Sequence, residues 1–132
     1  RIGTSDIYIA GIDDVSTEMD DAKSVAAQVN SKDFVIFLAH NPSVISSSLL
    51  LTDRNGRGNW FDLGLFGHTH GGQIPFLEEA FNFNGVPSRY ESGLLLENRS
   101  WLLISRGVGT TGLPARLFCQ PEIHLITVQS GT

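Results

Sequence analysis

Charge is sparse in this chain and cysteine nearly absent. Charged residues make up 17% of the 132 and sum to −5, against roughly 25% in an ordinary globular domain. An acidic chain of this kind does not hold nucleic acid or an anionic membrane surface by electrostatics alone. The single cysteine, Cys119, excludes an intramolecular disulfide and a cysteine-built zinc site. Long hydrophobic runs are missing as well. The longest apolar stretches are six or seven residues, far from the roughly 20 that cross a bilayer. The glycine-rich run Gly107-Val108-Gly109-Thr110-Thr111-Gly112 lacks the lysine and the following helix of a Walker-type loop, which argues against a nucleotide cradle. An initial methionine and a signal peptide are also lacking. Arg1-Ile2-Gly3-Thr4-Ser5 reads as the middle of a protein, so a fragment is expected.

What is present is a core. With 41% apolar residues, the chain suits one globular domain. The run Asp6-Ile7-Tyr8-Ile9-Ala10-Gly11-Ile12 predicts a buried strand ending in Asp13-Asp14, which reads first as a turn leading into a helix and second as the edge of a site. Ser16 or Thr17 would cap that helix over 19–30, with Ala22, Val25, Ala26 and Val29 on its apolar face. Phe34-Val35-Ile36-Phe37-Leu38-Ala39 predicts a strand covered on both faces, and a strand, helix, strand order suggests a parallel crossover. A short helix is expected within 43–51 and a polar loop over 52–59. Among the aromatics, Phe81, Phe83 and Tyr90 are expected in the core, and Trp101 is expected to pack. Asn98-Arg99 would join two strands of a hairpin, and 122–129 would form a last strand.

The chemistry-bearing residues are histidines. Three of the four close apolar runs: His40 follows residues 34–39, and His68 and His70 follow Phe61-Asp62-Leu63-Gly64-Leu65-Phe66. A lone histidine at a strand end is ordinarily a hydrogen-bonded structural residue. Two at i and i+2 on an extended strand point to one side, and imidazole is the commonest metal ligand. If the two strands are parallel neighbours, His40, His68 and His70 meet at one sheet edge, where open sheets place their ligands. His124, within the last predicted strand, is expected to meet solvent or a hydrogen-bond partner.

Ala39-His40-Asn41-Pro42, Gly67-His68-Thr69-His70-Gly71-Gly72-Gln73 and Ser105-Arg106-Gly107-Val108-Gly109-Thr110-Thr111-Gly112-Leu113-Pro114, taken in order, resemble the carboxy-terminal half of a calcineurin-like metallophosphoesterase. Within that superfamily the resemblance is to the bacterial membrane-associated branch. It implies an α/β layered fold, with two mixed β-sheets packed face to face and flanking helices. Residues 1–132 would be the carboxy-terminal part of a single such domain. The implied activity is hydrolysis of phosphate mono-, di- or pyrophosphate esters by water activated between two divalent ions, manganese, iron or zinc. Carried over by residue, His40 and His68 would bind one ion and His70 the other, and these three are the catalytic set. Arg106 and Asn41 are the substrate-binding candidates, Arg106 because guanidinium suits phosphate.

The departure is as clear as the match. D-x-H, G-D-x-x-D and G-N-H-[DE], through which that superfamily supplies its bridging aspartate and other ligands, are absent from the chain. Three imidazoles alone make a single zinc-type site with an open position. The alternative expectation is a non-catalytic metal-binding or interaction module on the same fold. The expected substrate is a small phosphate ester, lipid-linked and nucleotide phosphates included, and not a nucleic acid. Localisation is left between cytoplasmic and membrane-associated, the latter through a segment before Arg1.

Overall fold

The computed structural model describes residues 6–17, 21–74 and 86–129. Their strands form one five-stranded sheet: β1 (Ile7–Gly11), β2 (Phe34–Leu38), β3 (Leu63–Phe66), β4 (Gly93–Glu97) and β5 (Ser100–Ile104), in the order β1-β2-β3-β5-β4. β1, β2, β3 and β5 run parallel, and β4 is the antiparallel edge. This is the α/β architecture expected, with one mixed sheet among the described residues.

Alternation along the strands separates two faces. Val35 and Phe37 of β2 and Leu102 and Ile104 of β5 are completely buried on the inner face. There Phe37 packs edge-on against Trp60, ring centres 4.8 Å apart, with Phe61 and Phe66 at 5.3 and 6.0 Å. Such aromatic contacts add to the burial term. The Trp60 indole N–H is satisfied by Ser48 O at 2.8 Å. Tyr90 is buried as expected, while Phe81 and Phe83 lie outside the described residues. Trp101 departs from expectation. It sits on the outer face at 48% exposure, because the register aligns it with Leu63 and Leu96 rather than with the inner row.

The first helix is shorter than its periodicity suggests. Asp13-Asp14 form a turn, with Asp14 Oδ1 accepting from Ser16 N at 2.9 Å, and Val15–Thr17 is one turn of 3-10 helix. The α-helix proper, α1 (Ala22–Ala26), is capped by Asp21, whose carboxylate accepts from Ser24 N, instead of by Ser16 or Thr17. An ionised Asp at that place also suits the helix dipole. The apolar face is as predicted, with Ala26 and Val29 buried and Ala22 and Val25 packed against them. Pro42–Val44 and α2 (Ile45–Ser48) form the short helical passage expected after His40. The hairpin turns at Asn98-Arg99 as predicted, Glu97 pairing with Ser100.

Residues 122–129 form no strand. Glu122 is captured by the chain after β5: its N–H donates to Gly107 O at 3.0 Å and its carboxylate takes Arg106. That anchor leads the segment along a groove on the outer face, beside Phe34, Leu63 and Leu103, instead of onto a sheet edge. Among the described residues no helix is long and apolar enough to cross a membrane.

Candidate metal centre

Backbone bonds beyond the strands draw four chain segments to one edge of the sheet. Ile12 N donates to Leu38 O, Ala39 N to Leu65 O, Gly67 N to His40 O and Ser105 N to Phe66 O, all between 2.9 and 3.2 Å. The parallel ladders thus run on past the strand ends. They bring Asp14, His40, the 67–73 turn and Arg106 to the carboxyl edge, where parallel sheets place ligands.

His40 and His68 meet there. His68 Nδ1 lies 3.3 Å from His40 Nε2, and the rings cross edge to face at 5.1 Å. Burial, with His40 as its neighbour, pushes the His68 pKa down, opposed by the Asp14 carboxylate. Asp14 is itself held low by the Ser16 hydroxyl and amide. A neutral imidazole has a lone pair to give. The sequence leaves Asp13-Asp14 between a turn and the edge of a site, and the resemblance places the pair near the site without giving it a metal. The Ile12–Leu38 bond, which joins positions remote in sequence, is what brings Asp14 toward the histidines.

The same-side argument for His68 and His70 does not hold. β3 ends at Phe66, and both histidines have positive φ, 69° and 50°. The chain turns at once, with Thr69 Oγ1 accepting from Gly71 N at 3.2 Å and donating to Glu91 O at 2.6 Å. His70–Gly72 forms a 3-10 turn in which Gly71 has φ 60°. A side chain at Gly71 would run into Arg106 and Cys119, and one at Gly72 into Glu91. His70 leaves the His40–His68 pair for the glycine-rich loop: its Nδ1 lies 3.1 Å from Gly109 O.

The substrate-binding candidates are occupied within the chain. Arg106 Nε and Nη2 both bond Glu122 Oε2, at 3.1 and 2.9 Å. Glu122 is in turn held low, with the Arg106 amide and guanidinium opposing its burial, and raises Arg106. Asn41 is buried at 8% exposure, and its Oδ1 caps the following turn through Ser43 N at 2.9 Å. His124 has the hydrogen-bond partners expected, Ser105 Oγ at 3.1 Å and Glu122 Oε1 at 3.3 Å.

The donor set fits a divalent ion in kind. The His40–His68 nitrogen separation is about that of two imidazoles on one tetrahedral ion, roughly 3.3 Å for bonds of about 2.0–2.1 Å. It falls short in number: among the described residues no three His, Cys, Asp or Glu side chains converge on one point.

No family profile and no solved structure matches the chain. Curated proteins do. The chain is 35% identical over 124 residues to the uncharacterized protein YpbG of Bacillus subtilis, covering 92% of this chain and 42% of that protein. To the uncharacterized metallophosphoesterase YkuE of the same organism it is 32% identical over 130 residues, covering 96% of this chain and 42% of that one. To the phosphodiesterase YaeI of Escherichia coli it is 37% identical over 97 residues, 69% of this chain and 31% of that one. The chain spans less than half the length of these relatives.

Proposed function

Since this chain belongs to the metallophosphoesterase family, we propose that it supplies the histidine side of a two-metal site that hydrolyses phosphate esters. The observation that carries this reading is the 3.3 Å approach of His40 Nε2 to His68 Nδ1. In it, His40 and His68 hold one divalent ion and His70 the second, with manganese, iron or zinc as the metal. Two such ions, when bound, supply an activated water and offset charge on the phosphoryl group. Burial lowers the His68 pKa, which favours the ring form that has a lone pair to donate. The ligands not supplied here come, on this reading, from polypeptide outside these 132 residues, as do any membrane contacts.

Arg106 is the phosphate contact of this proposal. Glu122 engages Nε and Nη2 of that guanidinium, so a substrate either meets its remaining N–H groups or competes with Glu122 for the fork. Asn41 has its carbonyl oxygen committed to Ser43 N, and its NH2 is the group that can donate to a substrate oxygen. The substrate class is a small phosphate ester, lipid-linked and nucleotide phosphates included. A chromogenic phosphodiester is the first probe, because one relative is named a phosphodiesterase.

The test is metal content and turnover in the manganese-loaded full-length protein, which carries the ligands outside these 132 residues. His70→Ala is expected to lose one ion per chain and more turnover than the roughly 10–100-fold that removal of an outer-shell partner costs. His124→Ala is expected to change neither. Full metal content with wild-type turnover in His70→Ala would overturn the assignment. One observation favours the alternative, a non-catalytic metal-binding or interaction module: no trio of ligands converges among the described residues. Turnover by the wild type decides against it.

A further inference from the structure

Gln73 is completely buried, and its amide is spent on a loop nearly forty residues away. Nε2 donates to Thr111 O at 2.9 Å and to Leu113 O at 3.0 Å, and Oε1 accepts from Thr111 N at 2.8 Å. Both hydrogens and the oxygen of the amide are thereby engaged. Its own carbonyl accepts from Leu117 N at 3.0 Å. The loop it grips is exposed from Val108 to Ala115 and carries three glycines from 107 to 112. Such a segment has much backbone freedom to lose, and a buried amide making three bonds to it opposes that loss.

The gripped loop bears on His70. Gly109 O lies 3.1 Å from His70 Nδ1. Arg116 holds the same stretch, its Nε donating to Gly109 O at 2.9 Å and its Nη1 to His70 O at 3.3 Å. Arg116 Nη2 comes within 3.5 Å of His70 Nδ1, but its two hydrogens go to Arg106 O and Gly109 O. A carbonyl can only accept, so a hydrogen bond between His70 and Gly109 requires the proton on Nδ1, the tautomer whose lone pair lies on Nε2.

We propose that Gln73 is a positioning residue: by clasping 111–113 it keeps the Gly109 carbonyl on His70 Nδ1, fixing the ring tautomer that presents Nε2 as a ligand. This rests on His70 being a metal ligand as proposed above, and assigns the closing residue of Gly67-His68-Thr69-His70-Gly71-Gly72-Gln73 a task in that site. Outer-shell partners of ligating histidines act in this way, and their loss costs roughly 10–100-fold in metal affinity or activity.

The test is nitrogen-resolved NMR of the full chain, first without metal. In the wild type, His70 is expected to carry its proton on Nδ1, and the Thr111 amide to exchange slowly. Gln73→Met keeps the length of the side chain and removes its bonds. The tautomers should then mix and Thr111 exchange should quicken at least tenfold, while the Leu102 amide in β5 stays protected. Zinc affinity at His70 should fall on the 10–100-fold scale. If Gln73→Met does not fold, Gln73→Glu, which keeps the acceptor for Thr111 N and loses both donors to Thr111 O and Leu113 O, is read by the His70 tautomer alone. A wild-type His70 protonated on Nε2, or a folded variant with unchanged tautomer and Thr111 exchange, overturns the proposal. If zinc leaves His70 unshifted in the full-length protein, which carries the remaining ligands, while Gln73→Met still mixes the tautomers, the metal assignment falls and the clasp stands.

Discussion

At the scale of single residues, Asp53 shows how much one carboxylate can organise. It is 4% exposed and accepts from Ser31 N at 2.8 Å, Asn55 N at 2.8 Å and Arg57 N at 2.9 Å. These bonds, Ser31 foremost, hold its carboxyl far below the usual range. A carboxyl lowered on folding contributes stability that is present above its unfolded pKa, near 3.9, and drains away as pH falls below that value. Asp53→Asn is therefore expected to be clearly less stable than wild type at pH 7, with the gap narrowing below about pH 4. Urea melts at pH 7, 5 and 3 check this, and a gap independent of pH would rule it out. Nothing in Thr52-Asp53-Arg54-Asn55-Gly56 singles Asp53 out, because its main partner, Ser31, lies 22 positions away. The same holds for Gln73 and Arg116, whose partners are loop carbonyls. His40 and His68 are legible because each closes an apolar run.

Elements are legible where local pattern and tertiary demand agree. The β4–β5 hairpin can be read from spacing alone, although its turn lacks glycine. Asn98 and Arg99 have φ of 48° and 68°, the doubly positive form that matches strand twist in a two-residue turn. Asn tolerates that region, whereas for Arg it costs roughly 1–2 kcal/mol. Glycine would remove the strain and add roughly 0.5–1 kcal/mol of unfolded-chain entropy. Arg99→Gly should thus raise stability by about 0.5–1 kcal/mol, measurable as a shift of the urea midpoint at unchanged m-value. A lower midpoint would mean that Arg99 makes contacts worth more than its strain. The last segment departs from its local pattern for the opposite reason. Ile123, Leu125 and Ile126 give 122–129 the composition of a strand, but Glu122 binds Arg106 through backbone and side chain alike and sets the course of the residues after it. Likewise the turn after β3, set by Thr69 and the close approach at Gly71 and Gly72, overrides the extended geometry expected for His68 and His70.

For the molecule as a whole, the sheet is unevenly covered. One row across all five strands, Ala10, Phe37, Gly64, Leu102 and Leu95, faces the helices and the aromatic core. The adjacent row, Ile9, Ile36, Leu63, Trp101 and Leu96, is equally apolar and faces outward, with Ile9 71%, Leu96 56% and Trp101 48% exposed. Mostly parallel sheets are ordinarily buried on both faces, and contiguous apolar surface of this kind marks a contact that another body covers. The layered fold implied by the sequence motifs would place a second sheet there. The 132-residue chain by itself is accordingly expected to bind a hydrophobic dye such as ANS and to self-associate with rising concentration. Leu94→Glu with Leu96→Glu, both on the outer face of edge strand β4, should cut dye binding and restore a monomer in sedimentation velocity, since charge on an edge also discourages pairing. The far-UV spectrum should stay unchanged, because neither side chain reaches the core. The face stays open with segment 122–129 present beside Trp101 and Leu103, so a wild-type chain that stays monomeric and dye-free at every concentration would rule out the reading that this row is a contact surface.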